Sequence, residues 1–151
     1  LRKAKISDAK EIQTLVNHYA QQGEMLPLSL SEVYEGLRDF YVFEDNEEIV
    51  GVCALHINWE DLAEIRSLAV KEENSSKGVG SELARACLEE ARELSISRVF
   101  ALTYRPELFG KLGFQGIDKS LLPQKIWQDC LKCIKFPDCD EEAVLIELKD
   151  S

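Results

Sequence analysis

Three features are scarce or missing in this sequence of 151 residues: long apolar runs, an apolar stretch near its start, and an excess of basic side chains. No run approaches the length that a transmembrane helix needs, and no signal peptide is visible after residues 1–5. Lysine and arginine number 18 against 28 aspartates and glutamates, which gives a net charge of −10. Such a surface repels nucleic acids and acidic membranes, so we expect neither as a partner.

Internal repeats, low-complexity tracts and linkers are also missing from the sequence. Its composition, 45% hydrophobic and 30% charged, is ordinary for a globular protein. The length is typical of one domain that can bury a core. We therefore predict a single domain over residues 1–151.

The five cysteines are odd in number and come without a secretion signal, which favours reduced thiols and a cytoplasmic location. Cys53 and Cys87 lie in apolar patterns and are predicted to be core residues. Cys130-x-x-Cys133 and Cys139 resemble part of a zinc site, but an aspartate or a distant histidine would have to supply the fourth ligand. We favour structural thiols there and expect no metal.

Apolar periodicity predicts one mixed α/β domain, with antiparallel hairpins first and a parallel strand–helix–strand unit after them. Ser7 and Ser31 are the predicted N-caps of the first two helices. Strands are predicted at about residues 1–6, 40–43, 49–57, 63–70, 98–103, from 114 onward and at 143–148. Helices are predicted at about 7–19, 31–37, 79–94 and 107–112, and between Leu122 and Cys133.

A glycine loop joins the strand at 63–70 to the long amphipathic helix. The polar loop 71–76 leads into Lys77-Gly78-Val79-Gly80, and the helix keeps apolar residues on one stripe through Leu94. The first amides of a helix have no partner within it, and its dipole adds positive potential there. Glycines leave those amides accessible, so the loop is predicted to bind an anion such as a pyrophosphate.

Several kinds of site share this short pattern. A nucleotide P-loop requires Gly-x-x-x-x-Gly-Lys-Ser/Thr, which is absent from the loop. A dinucleotide fingerprint requires a third glycine where Leu83 stands, and an acidic residue that 98–103 does not provide. A helix start that needs glycine only for its backbone geometry remains possible, as does an acyl-CoA pyrophosphate site.

The sequence resembles the GNAT acyl-CoA N-acyltransferases. The resemblance rests on the strand ending Ser67-Leu68-Ala69-Val70, the turn 75–80 and the segment 109–114, which follow the order and spacing of that superfamily. It implies an α/β (α+β) GNAT fold: a mixed central sheet of six or seven strands, with an antiparallel N-terminal part and helices on both faces. It also implies acetyl-CoA as co-substrate. Ser75 departs from the usual Arg or Gln at the first loop position.

A closer resemblance is to the N-acetylglutamate synthases, over residues 51–56, 64–70, 99–105 and 121–123 and at Phe109. It implies acetyl transfer to the α-amine of L-glutamate or a related amino acid, in a ternary complex and as part of arginine biosynthesis. Transfer to another small amine or a protein amine, and a non-catalytic acetyl-CoA-binding module, remain alternatives. A homodimer is possible.

The resemblance also implies which residues form the site. We expect Glu64 or His56 to be the general base, because a carboxylate or an imidazole can accept a proton from an amine. Glu64 and Leu68, four residues apart on the strand, are expected to share a face, with the Leu68 amide close to the oxyanion. The residues expected to bind the cofactor are Leu68, Ala69, Val70, Ser75, Ser76, Lys77, Gly78, Val79, Gly80, Ser81, Phe109 and Lys111.

The expected substrate ligands are Arg66, Arg105 and Thr103, because guanidinium groups bind carboxylates with two parallel hydrogen bonds. Two further departures from the family pattern bear on the chemistry. Phe109 stands where many GNAT enzymes have a tyrosine that protonates the thiolate, so water or the substrate ammonium is expected to supply that proton. Pro27-Leu28-Ser29 stands where the synthases often have an arginine, which allows a less polar acceptor than glutamate.

Overall fold

The structure, a computed structural model, describes residues 1–122 and 142–148. The strands are β1 (Arg2–Lys3), β2 (Phe40–Asp45), β3 (Glu48–Trp59), β4 (Leu62–Val70), β5 (Arg98–Thr103), β6 (Gln115–Ile117) and β7 (Glu142–Glu147). The helices are α1 (Ala9–Ala20), α2 (Leu30–Glu35), α3 (Val79–Glu93) and α4 (Pro106–Gly110). None of the helices in these two ranges has the length and hydropathy to cross a bilayer. The helix predicted to end near Cys133, and Cys130, Cys133 and Cys139, lie outside the described residues.

The strands form one seven-stranded mixed sheet in the order β1-β2-β3-β4-β5-β7-β6. All neighbouring strands are antiparallel except β4 and β5, which are joined by α3 and run parallel. This arrangement confirms the predicted fold class, with its antiparallel N-terminal part and its parallel strand–helix–strand unit. It places β4 in the middle of the sheet, where helices can cover both faces.

Helices cover the two faces because the central strands are apolar on both sides. In β3, Cys53 and Leu55 belong to the buried cluster that contains α3. The alternate residues Val52 and Ala54 belong to the cluster that contains α1. Successive side chains of a strand point to opposite faces, so one continuous apolar strand supplies both cores.

Helix α3 packs closely on β3 through Gly51. A Cβ atom at Gly51 would lie 2.8 Å from Val79 Cγ1 and 2.9 Å from Leu83 Cδ1. The predicted apolar stripe is confirmed at Val79, Leu83, Cys87 and Ala91, all buried. It is wrong at Leu94, which is the C-cap residue and 51% exposed, because the helix ends before its side chain can turn inward. Cys53 and Cys87 are buried free thiols, as predicted.

The two predicted N-caps are corrected by the structure. Ser7 lies inside a short 3-10 turn, Ile6–Asp8, and α1 begins only at Ala9. The cap of α2 is Ser29: its hydroxyl accepts a hydrogen bond from the Glu32 amide, and the Glu32 carboxylate accepts one from the Ser29 amide, both at 3.1 Å. This reciprocal pair satisfies two amides at once, which Ser31 cannot do from inside the helix.

Candidate active site

The site begins where β4 separates from β5. The parallel pairing of the two strands runs only from Leu62 opposite Arg98 to Glu64 opposite Phe100. On its other side β4 carries a bulge: Val52 lies opposite Ala69 and Ala54 opposite Arg66, so Ser67 and Leu68 together face Cys53. Ser67 has a φ of 56°, a left-handed conformation that a serine rarely adopts. The bulge bends β4, and among the described strands only β3 pairs with β4 beyond Glu64.

A cleft of about 690 Å³ lies at this divergence. It is bounded by β4, the loop after α1, the end of β5 and α4. Of the residues predicted from the sequence, the cleft brings together Glu64, Arg66, Leu68, Ala69, Val70, Ser75, Gly80, Thr103, Arg105 and Phe109. The predicted residues that do not line it, although all are described, are His56, Ser76, Lys77, Gly78, Val79, Ser81 and Lys111.

The expectation that Glu64 and Leu68 share a face is wrong. The neighbours of Glu64, Ala63 and Ile65, belong to the cluster with α3, so the Glu64 side chain points to the opposite face. The side chain of Leu68 packs against that same α3 cluster. The extra residue at Ser67 shifts the alternation by one position, which turns Leu68 over relative to a regular strand.

The glycine loop forms the start of α3 in the manner predicted. Gly78 is the N-cap residue with a φ of 79°, and a Cβ atom there would meet nothing within 4 Å. The first hydrogen bond of the helix runs from the Glu82 amide to the Gly78 carbonyl at 3.1 Å. The amides of Val79, Gly80 and Ser81 therefore come before the first hydrogen bond of the helix. A site that binds an anion at a helix start needs amides in this position.

The neighbours of these amides fit a diphosphate. Ser76, Lys77 and Gly78 are exposed, so a ligand can reach the loop, and Gly80 lines the cleft. A Cβ atom at Gly80 would lie 3.1 Å from Leu108 Cδ1, so a larger residue here would crowd the Leu108 side chain. The Ser75 hydroxyl donates to the Glu72 carbonyl at 2.8 Å and so stabilises the turn itself. Val79 is buried, so only its backbone can contact a ligand.

Glu64 is a carboxylate largely removed from solvent. The residue is 8% exposed, and Arg66 Nε lies 3.8 Å from Glu64 Oε1. Both side chains line the cleft. A carboxylate in this position can accept a proton from a molecule bound beside it, and Arg66 offsets its charge before that transfer.

Arg105 follows β5 and is exposed at the cleft. Its amide donates to Thr103 Oγ1 at 2.8 Å, which fixes the turn between β5 and α4. Within residues 1–122 and 142–148 the Arg105 guanidinium has no ion-pair partner. An exposed guanidinium beside a cleft can bind a carboxylate from a ligand.

His56 is placed next to Glu64 but outside the cleft lining. The two residues are cross-strand partners of β3 and β4. His56 Nδ1 lies 3.2 Å from Asp39 Oδ2, so the imidazole is oriented by a carboxylate at the surface. Of the two candidate bases, only Glu64 lines the cleft.

The aromatic residues of the site were only partly found from the sequence. Phe109 is buried and packs edge-on against Phe114, with ring centroids 5.1 Å apart, so this position provides no phenol. Tyr104 lines the cleft. Tyr19 was missed: its hydroxyl donates to the Val70 carbonyl on β4, and burial raises the pKa of its phenol. In the sequence, Tyr19 shares an apolar stripe with Ile12, Leu15 and Val16, which predicts that it packs in the core and gives no signal of this hydrogen bond.

The loop between α1 and α2 forms a wall of the site, whereas the sequence pointed to it only through the arginine missing at residues 27–29. Gly23 to Leu28 line the cleft, and Met25 and Leu28 also pack against the α1 cluster. The signal was present: four consecutive apolar residues in a loop need a surface to cover. In the described ranges, no three histidine, cysteine or acidic side chains are close enough together to hold a metal ion.

Comparisons with known proteins agree with this geometry. The family model described as Acetyltransferase (GNAT) family matches residues 9–114. An uncharacterized N-acetyltransferase of Chlorobaculum tepidum is 39% identical over 145 residues, which cover 96% of this chain and 94% of the relative. An amino-acid acetyltransferase of Mycobacterium tuberculosis is 34% identical over 132 residues, 85% of this chain and 75% of the relative.

A solved structure adds a ligand-bound comparison. The N-acetylglutamate synthase of Neisseria gonorrhoeae, complexed with coenzyme A and N-acetyl-glutamate, superposes with a TM-score of 0.88 at 27% identity. The superposition covers 98% of this chain and 34% of that chain.

Proposed function

This chain belongs to the acetyltransferase (GNAT) family, and from that premise we propose that it acetylates the α-amine of L-glutamate or a related amino acid. That it is an N-acetyltransferase with acetyl-CoA as co-substrate follows from the family and from its amino-acid acetyltransferase relatives. The acceptor is the proposal. One observation carries it: a single cleft joins the open edge of β4 and Gly80 to Glu64 and Arg105.

The proposed ligands fall into two groups. Where the cleft reaches Gly80, the amides of Val79, Gly80 and Ser81, with Lys77 beside them in the sequence, would hold the diphosphate of coenzyme A just outside the cleft lining, and the edge of β4 from Leu68 to Val70 would hold the pantetheine arm. Ser75, Ser76, Gly78, Phe109 and Lys111 would complete this first group. In the second group Arg105, together with Thr103 and Arg66, would bind the carboxylate of the acceptor.

The chemistry needs a base, an oxyanion donor and a proton for the leaving group. Glu64 would take the proton of the acceptor ammonium, directly or through a water, so that the nitrogen can attack the thioester carbonyl. As the N–C bond forms and the C–S bond breaks, the Leu68 amide would donate to the carbonyl oxygen, a contribution of about 3 kcal/mol. Because Phe109 carries no hydroxyl, water or the substrate ammonium would protonate the thiolate.

His56 is the alternative general base. It lies opposite Glu64 in the β3–β4 register, and Asp39 orients its imidazole. If His56 were the base, its imidazole would accept the proton of the acceptor ammonium in place of Glu64.

The proposed setting is a cytoplasmic step of arginine biosynthesis, because the similar structure from Neisseria is an N-acetylglutamate synthase. The buried, free pair Cys53 and Cys87, with sulfur atoms 3.7 Å apart, suits a reducing compartment. A homodimer is part of the proposal, and sedimentation velocity on the full chain would decide between it and a monomer.

A thiol-release assay with acetyl-CoA and a panel of L-amino acids tests the proposal, with mass spectrometry to locate the acetyl group on the product. The expected result is release that depends on an amino acid, and an α-N-acetyl product. Release only with polyamines or a lysine-containing peptide would instead support transfer to another amine. Acetyl-CoA binding by calorimetry, without release for any amine, would support a non-catalytic acetyl-CoA-binding module.

A further inference from the structure

The carbonyl group at the end of β4 has a side chain from α1 as its hydrogen-bond partner. The Tyr19 hydroxyl donates to the Val70 carbonyl. The next amide along the chain, that of Lys71, donates to the Val50 carbonyl on β3 at 2.8 Å. Because the carbonyl and the N–H of one trans peptide unit point in opposite directions, the Val70 carbonyl faces away from β3, toward the edge of β4 that β5 leaves.

The Val70 N–H faces that same edge. In an antiparallel pair of strands, successive residues direct their polar groups alternately toward the partner strand and away from it. The polar groups of Lys71 are directed toward β3, so both the N–H and the carbonyl of Val70 are directed away from it. With the carbonyl held by Tyr19, the N–H is the group that this end of the edge offers to a ligand.

Val70 lies between the start of α3 and the rest of the cleft. It is the last residue of β4, and a Cβ atom at Gly80 would lie 3.8 Å from Val70 Cγ2. Both residues line the cleft, as does Tyr19. A molecule whose diphosphate bound the first amides of α3 would therefore reach the β4 edge at Val70.

Tyr19 itself is fixed at the end of α1. The residue is 7% exposed and belongs to the α1 cluster. Its backbone carbonyl accepts hydrogen bonds from the amides of Gln22 and Glu24, both at 3.1 Å, and its ring packs edge-on against His18. Burial raises the pKa of its phenol, so the hydroxyl stays protonated and can donate. A hydroxyl held in this way can keep the Val70 peptide in one orientation.

From these contacts we infer that Tyr19 is a positioning residue for the co-substrate: its hydroxyl holds the Val70 carbonyl and so presents the Val70 N–H to an amide carbonyl of the pantetheine arm. This inference rests on the proposed function, which assigns the arm to the β4 edge, and it adds to that edge a side chain from α1. A donor that is already oriented in the free protein loses less conformational freedom when the arm binds.

Tyr19→Phe tests the inference, because it removes the hydroxyl and keeps the ring in the core. Coenzyme A and 3′-phospho-ADP are the matched ligands, since both carry the nucleotide and the diphosphate and only coenzyme A carries the arm. We expect Tyr19→Phe to raise the Kd for coenzyme A about three- to tenfold, the effect of one neutral hydrogen bond, and to leave that for 3′-phospho-ADP within about twofold. Calorimetry on the full chain would measure both.

Tyr34→Phe is the control: this tyrosine of α2 is 42% exposed and lies outside the cleft lining, so the loss of its hydroxyl should affect neither Kd. An equal rise for both ligands in Tyr19→Phe would overturn the inference, because Tyr19 would then support the site as a whole. Unchanged or tighter binding of coenzyme A would overturn it too, since the hydroxyl would then only join α1 to β4 or compete with the arm.

The same measurements separate the inference from the proposed function. Binding of coenzyme A by the unmodified protein, without transfer to any amine, would contradict the proposed acetylation, and the Kd values would still decide the role of Tyr19. No binding of coenzyme A at all would contradict both.

Discussion

At the scale of single residues, the site depends on a carboxylate that is both shielded and reachable. Glu64 is 8% exposed, yet it lines the cleft, because β5 stops pairing with β4 at that residue. His56, its cross-strand partner, is more exposed and is held by Asp39. The backbone thus assigns different surroundings to two bases that look equivalent in the sequence.

Glu64→Gln should lower kcat by about 10²-fold or more, because the amide keeps the shape of the side chain but cannot accept the ammonium proton. The KM for acetyl-CoA should change little, since the α3 amides proposed to hold its diphosphate are not altered by the substitution. Steady-state kinetics with both substrates varied would measure the two effects. Glu60→Gln, an exposed carboxylate between β3 and β4, is the matched control. A loss in kcat as large in His56→Gln as in Glu64→Gln would transfer the role of base to the imidazole.

Arg105→Ala should raise the KM for the acceptor by about tenfold or more and that for acetyl-CoA much less, because a lost charged hydrogen bond costs about 1.5–3 kcal/mol. Arg105→Lys should recover only part of the affinity, since an ammonium cannot form the two parallel hydrogen bonds. Arg85→Ala, on the exposed side of α3, serves as the control. Equal increases in both KM values would mean that Arg105 supports the cleft as a whole rather than binding the acceptor.

At the scale of elements, the sequence pattern predicted those helices, strands and turns that interactions between neighbouring residues decide. The β2–β3 hairpin could be predicted from the spacing of its apolar residues. The β4–α3–β5 unit could be predicted because its apolar spacing and its glycine turn indicate the same order of strand, loop and helix. The cap of α2 was missed although Ser29-x-x-Glu32 is a capping-box pattern, which favours Ser29 over Ser31.

The bulge at Ser67 could not have been found in this way. A serine has no special preference for a φ of 56°, so the sequence gives no local signal for it. The bulge arises from the pairing of β3 with β4, a tertiary contact, and it decides which face Leu68 occupies. The loop 23–28 differs from the bulge, because its apolar run signals a buried contact; its position, however, depends on tertiary contacts with Asn17 and the α1 core.

The packing of α3 on β3 through Gly51 gives a prediction at this scale. Gly51→Ala should destabilise the protein by about 1–3 kcal/mol, because the new Cβ atom would overlap Val79 and Leu83. Since Val79 begins α3, the KM for acetyl-CoA should rise as well. Urea unfolding and kinetics would measure the two effects. Gly116→Ala is the control, because a Cβ atom there would meet nothing within 4 Å. Equal stability of the two variants would show that α3 does not depend on close contact with β3.

At the scale of the whole molecule, β4 is shared by two cores and by the cleft. Its first half pairs on both sides, and beyond Glu64 its one partner among the strands of residues 1–122 and 142–148 is β3. The α3 core fixes the first amides of α3 relative to β4, and the α1 core fixes the loop 23–28. On the proposed assignment, a protein with a net charge of −10 binds an anionic co-substrate through local amides that the fold holds in place.

At the start of the chain, the Arg2 side chain connects β1 to the 3-10 turn Ile6–Asp8 and to β2. The Arg2 guanidinium donates to both oxygens of Asp8, at 2.7 and 3.1 Å, and to Glu44 on β2. The hydrogen bond from Arg2 is the main cause that lowers the pKa of the buried Asp8 carboxyl. This carboxylate therefore stabilises the fold above its unfolded pKa, near 3.9, and the stabilisation is lost as the pH falls through the lower folded value.

Asp8→Asn should lower the free energy of unfolding by about 2 kcal/mol at pH 7, because the amide keeps an acceptor for the Lys5 amide but loses the charged pair. The difference from the unmodified protein should shrink as the pH falls below about 3.9 and through the lower pKa of the folded state, because the aspartate is then itself protonated. Urea titrations at a series of pH values would follow it. Asp45→Asn, an exposed change at the end of β2, should have no such pH-dependent effect. A difference that stayed constant down to pH 2 would show that shape, and not the charge of Asp8, ties β1 and α1 together.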